Sequence, residues 1–143
     1  MIRLILLLFS VHLAAPDAFI PRQTVDVLGK WKADWSLIYG GMTSAEKGKF
    51  DALPEPAKTR VRNSFSSRSY EFKVNNTVEI SWQSNVGSKV VTGTWNMSGT
   101  SLTITTNGSA KSYTVTGQAN IVNLAVPETS PGSIISTLVL IKQ

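Results

Sequence analysis

The side chains that most often carry catalysis or bind metals are almost absent from this sequence. The chain of 143 residues contains no cysteine, and its single histidine, His12, lies in an apolar stretch at the N-terminus. Without that stretch, no imidazole remains for general base catalysis and no thiol for nucleophilic attack. This inventory excludes Ser-His-Asp triads, Cys-His pairs and structural zinc sites from the remainder. We therefore expect no enzyme, no metal and no cofactor.

Carboxylates remain as candidates for acid-base chemistry. A glycosidase needs two of them facing each other across a cleft. Glu71 and Glu79 lie on adjacent strands of one predicted hairpin, but the alternation of the sequence places both on the outward face. With Lys73 nearby, they are typical of cross-strand pairs on a protein surface. Binding is therefore favoured over catalysis.

Alternation of apolar and polar residues indicates that the chain consists mainly of short β-strands. Every second residue from Trp31 to Tyr39 is apolar, which predicts one long half-buried strand that ends at Gly40-Gly41. Asn75-Asn76 then joins two strands in a hairpin. The inward side chains of this hairpin are expected to be Tyr70, Phe72, Val74, Val78, Ile80 and Trp82.

The second half of the chain continues the same pattern. Asn107-Gly108 is a strong signal for a type I′ hairpin turn. The last strand, Ile134 to Ile141, is apolar on both faces, so both faces should be covered. The other strands centre on residues 91–97, 102–104, 113–115 and 121–126. Eight short strands at regular spacing predict an all-β fold, an eight-stranded antiparallel up-and-down barrel.

One segment departs from the strand pattern. Thr43 and Glu46 form a capping box, which predicts a short helix to about Leu53. Pro54-Glu55-Pro56 suits the start of a second helix. The apolar face of that helix recurs every four residues, at Ala57, Val61 and Phe65. We predict a short helix-turn-helix lid between strands 1 and 2, across one mouth of the barrel.

Two motifs carry a family resemblance. Gly29-Lys30-Trp31 resembles the Gly-x-Trp signature that opens the first strand of lipocalin and calycin barrels. Gly93-Thr94-Trp95, followed by Leu102 to Thr105, is similar to a run in small exported bacterial lipocalin-like domains. The resemblance covers Val27 to Lys142 and implies a barrel that binds a small ligand. Its glycines would allow close approach of another segment, and its tryptophans would fill the closed end.

The chain also departs from the related families in two respects. Lipocalins carry a helix before a short final strand, and no such helix is predicted here. A lid between strands 1 and 2 resembles fatty-acid-binding proteins, which hold a carboxylate with an Arg-x-Tyr clamp near the C-terminus. Residues Leu138 to Lys142 contain no such clamp, so a fatty acid held in that manner is not expected.

The predicted interior is rich in aromatic rings, and two outcomes are open. An eight-stranded barrel is just wide enough either to fill itself with side chains or to enclose one small ligand. A filled core would suit a protein-interaction, inhibitor or envelope-structural module. A pocket beneath the lid would suit a small apolar or lipid-like ligand. The residues predicted to line such a pocket are Trp35, Phe65, Tyr70, Phe72 and Trp82.

The charge of the chain gives weaker indications of partners. The net charge of +5 is spread along the sequence, and no nucleic-acid motif accompanies it. Lys58, Arg60, Arg62 and Arg68 are expected either to form a positive collar at the mouth or to be a solvated helix face. A collar would attract anionic ligands or contact a membrane surface. We expect no nucleic-acid partner and a monomer.

The first residues predict export. Arg3 precedes an apolar run from Leu4 to Leu13, and Ala14-Ala15 offers small residues for cleavage. The run is too short to span a bilayer, so residues 1–15 are predicted to be a secretory signal peptide, with Ala18 as a later cleavage point. An uncleaved N-terminal anchor is the alternative. The predicted protein is thus an exported, periplasmic or secreted lipocalin-like binding domain at residues 25–143.

Overall fold

The structure is a computed structural model that describes residues 25–127 and 133–143. The predicted signal peptide and both of its cleavage points lie outside the described residues. None of the helices in the described ranges is long and apolar enough to span a bilayer.

Eight antiparallel strands close into a barrel, as the sequence predicts. Each strand pairs with the next along the chain, and the last pairs with the first. The up-and-down order follows from short hairpin turns such as Asn107-Gly108, where both residues have positive φ. The strands are β1 (Gly29–Ala33), β2 (Ser69–Phe72), β3 (Thr77–Ser84), β4 (Gly87–Ser98), β5 (Ser101–Thr106), β6 (Ser109–Gln118), β7 (Ile121–Ala125) and β8 (Thr137–Lys142).

Three helices lie between β1 and β2: α1 (Trp35–Gly41), α2 (Ser44–Asp51) and α3 (Glu55–Ser66). The capping box is confirmed, since Thr43 Oγ1 accepts from the Glu46 amide at 3.2 Å and Glu46 Oε2 accepts from the Thr43 amide at 2.7 Å. The second predicted helix is confirmed as α3, which begins directly after Pro54.

The long first strand is wrong, because the chain turns into α1 after Ala33. The Asp34 carboxylate accepts from the Leu37 amide at 2.9 Å and caps the new helix. The apolar residues of this segment fit the period of a strand as well as that of a helix. Every second residue up to Tyr39 is apolar, but apolar residues also recur at helical spacing, at Trp35, Ile38, Tyr39 and Met42. Trp35 therefore lies in the helical layer and not on a barrel strand.

Two smaller boundaries also differ from the prediction. Val74 was expected to face inward, but β2 ends at Phe72 and Val74 is 85% exposed in the turn, where Asn76 has a φ of 61°. The last strand begins at Thr137 and not at Ile134. Its two apolar faces are covered as expected, because Leu138 and Leu140 are buried in the core and α1 packs on β8 beside Val139.

The end of the barrel that carries the β2–β3 turn is closed by aromatic side chains. Trp31 is 1% exposed, and its Nε1 donates to the Val27 carbonyl at 2.7 Å. The Trp95 ring meets the buried Phe72 ring edge-on at 5.6 Å, and its Nε1 donates to the Lys73 carbonyl at 3.1 Å. The two Gly-x-Trp tryptophans therefore pack at the same end of the molecule.

The glycine of the second motif permits a close approach of backbone. A Cβ atom at Gly93 would lie only 2.2 Å from the carbonyl oxygen of Thr105 on β5. No side chain fits there, so Gly93 lets β4 and β5 pack closely at this point of the barrel.

Candidate functional site

The opposite end of the barrel is its mouth, and α3 crosses it. The C-terminal end of α3 is attached to β3, because Ser67 Oγ accepts from the Gln83 amide at 2.9 Å. Between α3, β6, β8 and the segment before β8 lies a cavity of about 310 Å³. Its lining consists of Val61, Phe65, Arg68, Lys111, Tyr113, Val126, Ser133, Ile134, Ile135, Ser136 and Leu138.

Local structure explains how these side chains converge. Val61 and Phe65 lie one turn apart on α3 and therefore share one face of the helix. Lys111 and Tyr113 are two residues apart on β6 and share one face of the strand. Leu102 of β5 pairs with Tyr113 and is fully buried, so this face is the interior of the barrel. The cavity is thus lined by apolar side chains together with several polar ones, among them Arg68, Lys111 and the Ser133 and Ser136 hydroxyls.

Arg68 is the charged residue most closely built into the site. Its guanidinium carbon lies 4.8 Å from the centre of the Phe65 ring and 5.3 Å from that of Trp82. Its Nη2 donates to Ser64 Oγ at 3.2 Å, whereas its buried Nε has no hydrogen-bond partner among the described residues. The charge is therefore held against aromatic faces with some of its donors unused.

Two tyrosines lie near this charge. Burial, and to a smaller extent the neighbouring Tyr70, raises the pKa of Tyr113 to about 12. The positive charge of Arg68 opposes this rise. Burial likewise raises the pKa of Tyr70, against the effect of Arg68. Both phenols consequently keep their protons near neutral pH and can act as hydrogen-bond donors.

The structure separates the five residues predicted to line a pocket. Phe65 lines the mouth cavity, and Trp82 lies beside it against Arg68. Tyr70 and Phe72 are buried in the core and stack on each other at 6.0 Å. Trp35 belongs to an aromatic cluster of the helical layer, with centroid distances of 5.2 Å to Phe50 and 6.3 Å to Phe65.

The cavity also contains residues that the sequence reasoning missed, notably Lys111 and Tyr113. Lys111 could have been recognised from the sequence, because it lies two residues before Tyr113 and four before Val115 on the same face of a strand. A lysine on the face that carries buried residues is a sign of a polar group directed towards the interior. Val61 was assigned to the apolar face of the lid, but nothing in the sequence places that face opposite β6. The segment 133–136 was assigned in part to the last strand.

A comparison with protein-family models matches residues 27–121 to the lipocalin-like domain. The chain belongs to this family. Proteins of this family are generally binding proteins and not enzymes. The match spans both Gly-x-Trp motifs and the whole helical layer.

The lipocalin-like chain was also compared with solved structures and curated proteins. A crystal structure of a DUF4847 family protein from Bacteroides vulgatus ATCC 8482 matches with 13% identity and a TM-score of 0.45. The match covers 80% of this chain and 91% of that chain. The comparison with curated proteins gives no significant match.

Other depressions of the lipocalin-like domain lie outside the barrel. One of about 390 Å³ adjoins Lys32, Trp35 and Ile141, where β1 passes into α1. Another of about 470 Å³ surrounds the turn between β6 and β7 and includes Gln118 and Asn120. These two depressions have the larger volumes, but neither lies under α3 inside the barrel mouth.

The carboxylates Glu71 and Glu79 occupy the surface positions expected for them. They pair directly across β2 and β3, and each lies near a lysine, at 3.9 Å from Lys30 and 3.7 Å from Lys73 respectively. No group of three or more His, Cys, Asp or Glu residues with metal-binding geometry occurs in the described ranges.

Ser44 and Lys47 have a Ser-x-x-Lys spacing, which activates the serine in some hydrolases. Here Lys47 Nζ donates to the Gly40 carbonyl at 3.4 Å and lies 5.5 Å from the centre of the Tyr39 ring. Ser44 is exposed on the first turn of α2. The pair belongs to the surface of the helical layer.

Proposed function

We propose that this lipocalin-like domain binds a small apolar or lipid-like molecule in its mouth cavity and does not catalyse a reaction on it. The observation that carries the proposal is the cavity of about 310 Å³ under α3. Pockets for small ligands have volumes of roughly 300–1,000 Å³, mostly apolar walls and a few polar groups. The mouth cavity lies at the small end of this volume range, and its lining combines apolar side chains with the polar groups of Arg68, Lys111, Ser133 and Ser136.

The driving force would come from the removal of apolar surface from water. Each Å² of apolar surface that is buried stabilises a complex by about 25 cal/mol before ordering costs are subtracted. The wall offers Val61 and Phe65 from α3, with Ile135 and Leu138 on the opposite side. A ligand between them would replace solvent at both faces.

The proposal of a non-catalytic role rests on the residue inventory. The described residues include no histidine or cysteine, and the paired glutamates face solvent. The cavity lining includes tyrosine and serine hydroxyls, but no imidazole or carboxylate lines it among the described residues.

A titration with decanol, followed by tryptophan fluorescence, tests the binding proposal. Trp82 and Trp35 both lie next to cavity residues, so an occupied cavity should change the emission. The variant Val61→Phe fills the cavity from α3 and should weaken binding about tenfold or more, a loss of about 1.4 kcal/mol. Thr59→Phe adds a ring at an exposed position of the same helix that is not part of the lining.

The comparison of these two variants decides the result. A saturable change in the wild type that Val61→Phe weakens and Thr59→Phe preserves would support the mouth cavity. Saturable binding that both variants retain would place the ligand elsewhere, and no binding of decanol at all would contradict the proposal.

A solid interaction module is the second candidate, and one observation favours it. The β3–β4 hairpin carries Val86 in its turn and Val90 further along β4, and they are 85% and 60% exposed. Exposed apolar residues on one hairpin are a feature of some protein contacts. Failure of decanol to bind, combined with a partner whose binding is lost in Val86→Ser, would favour this candidate.

We also propose that the domain is exported, which the n-region, apolar run and small residues of the N-terminal stretch support. Expression of the full-length chain in a bacterium, followed by mass spectrometry, tests this. A product outside the cytoplasm that begins after Ala15 or Ala18 is expected. A cytoplasmic product of full length would contradict the proposal.

A further inference from the structure

We propose that the mouth cavity recognises an anionic head group, a carboxylate on an apolar tail, through Arg68 with Lys111 at the rim. This inference rests on the proposed binding function and specifies the chemistry of its ligand. Three independent features of the mouth support it: the partners of Arg68, the balance of charge, and the donors that line the cavity.

The first feature is the geometry of Arg68. Phe65 and Trp82 lie against the guanidinium, so its orientation is held by packing. Ser64 accepts one of its hydrogen bonds, and the buried Nε has no acceptor among the described residues. A guanidinium carries five N–H donors in a planar fork that matches a carboxylate. Because the Arg68 side chain lines the cavity, an anion there would accept hydrogen bonds from the outer N–H groups of this fork.

The second feature is the unbalanced charge at the mouth. Lys111 lines the cavity, and Lys89 of β4 pairs directly with Trp82, which contacts Arg68. None of these three cations forms a salt bridge within residues 25–127 and 133–143. The salt bridges found in those ranges involve other lysines: Lys30, Lys58 and Lys73. The described lining of the cavity therefore carries two cations, Arg68 and Lys111, and no carboxylate, although the Glu46 carboxylate accepts from the amide of the lining residue Ser136. Clefts lined by positive charge attract anions.

The third feature is the presence of neutral donors beside the charge. Lys111 Nζ lies 5.6 Å from the centre of the Tyr113 ring, and both residues line the cavity. The Tyr113 side chain is buried, and its phenol holds its proton well above neutral pH. It can donate a hydrogen bond to an oxyanion but adds no negative charge that would repel one.

The apolar walls determine the rest of the ligand. A free inorganic anion would contact Arg68 but leave Val61, Ile135 and Leu138 in contact with water. A carboxylate with an apolar tail satisfies both parts of the lining. This arrangement differs from the clamp sought near the C-terminus, since the arginine lies at the junction of α3 and β2.

Paired titrations with decanoate and decanol test the inference, because the two probes differ only in the head group. Charge-assisted hydrogen bonds should make decanoate bind about ten- to a hundredfold more tightly than decanol in the wild type. Arg68→Gln should abolish this preference, because the ratio of the two affinities reports the head group even where the affinity for decanol itself changes. Arg62→Gln removes an exposed cation from α3 that does not line the cavity, so it should keep the preference.

The outcomes distinguish the two proposals. Equal binding of decanoate and decanol would overturn the anionic head group and leave the binding function intact. No binding of either probe would overturn both proposals. A preference that survives Arg68→Gln would overturn the role of Arg68.

If Arg68→Gln fails to fold, as judged by circular dichroism, the same pair of titrations is carried out on Lys111→Gln. Lys111 is exposed, so this substitution should not disturb folding. A preference for decanoate reduced several-fold in Lys111→Gln would support the inference. An unchanged preference would overturn it.

Discussion

The guanidinium of Arg68 lies 5.3 Å from the centre of the Trp82 ring, at the point where the helical layer meets the barrel mouth. This contact links the end of α3 to β3, next to the hydrogen bond between Ser67 and Gln83. One wall of the cavity is therefore fixed to the barrel. The mouth cavity is therefore formed where α3 packs on the barrel strands, and no single sequence motif contains its residues.

Gly93→Ala should destabilise the barrel strongly. The added Cβ would lie 2.2 Å from the backbone oxygen of Thr105, which cannot rotate away as a side chain can. We expect a loss of at least about 2 kcal/mol in the free energy of unfolding, measured by urea denaturation.

Gly48→Ala is the matched control for this substitution. Gly48 lies within α2, and a Cβ there meets nothing within 4 Å. Alanine should stabilise the protein by about 0.5–1 kcal/mol, because it favours helix more than glycine does. Equal effects of the two substitutions would contradict the close approach of β4 and β5.

Glu46 should make stability depend on acid pH. Burial raises the pKa of this carboxyl group, but hydrogen bonds from Ser136 and Thr43 outweigh it, so the pKa lies below its ordinary value of 4.5. Ser136 donates through its amide at 2.8 Å, which attaches α2 to the segment before β8. The stability that this carboxylate contributes is complete above pH 4.5 and is lost as the pH falls through the lowered pKa.

Glu46→Gln should therefore cost about 1–3 kcal/mol at neutral pH, and the difference from the wild type should shrink in acid. Urea denaturation at a series of pH values measures it. Glu55→Gln is the control, because the exposed Glu55 pairs with Lys58, 3.0 Å away, and such surface pairs contribute little. If the free energy of unfolding of Glu46→Gln stays below that of the wild type by the same amount down to about pH 2, the ionised carboxylate is not the cause of the difference.

Tyr113 should weaken the fold in alkali. Its pKa is about 12 in the folded protein against an ordinary value of 10.0. The unfolded chain therefore loses this proton first, so stability is complete below pH 10 and falls as the pH rises towards 12. Tyr113→Phe should reduce the steepness of this fall, measured by denaturation at increasing pH, and an identical profile would refute the assignment.

The barrel was accessible from the sequence because its signals are local. Alternation and turn residues such as Asn107-Gly108 fix strands and hairpins within short stretches, and the capping box at Thr43 marks a helix start. The pattern predicts a strand after Asp34, where the structure has α1, because the apolar residues there satisfy a period of two as well as helical spacing. The cap at Asp34 was the local signal that distinguishes the two.

The mouth cavity was much less accessible, because its walls come from distant parts of the chain. Val61, Lys111 and Leu138 meet only after the barrel has closed and α3 has crossed its mouth. Alternation predicts that Tyr70 and Phe72 face inward, and both do, but they are buried in the core and do not line the cavity. The sequence can identify inward faces, but not which of them remain uncovered.

Methyl NMR during a titration with decanol tests most directly whether the mouth cavity is a ligand site. Saturable shifts are expected for the methyl groups of Val61, Ile135 and Leu138, which line the cavity. Those of Val78, in the closed part of the barrel, should stay in place. Shifts confined to Val86 and Val90, or no saturable shifts, would contradict ligand binding at the mouth.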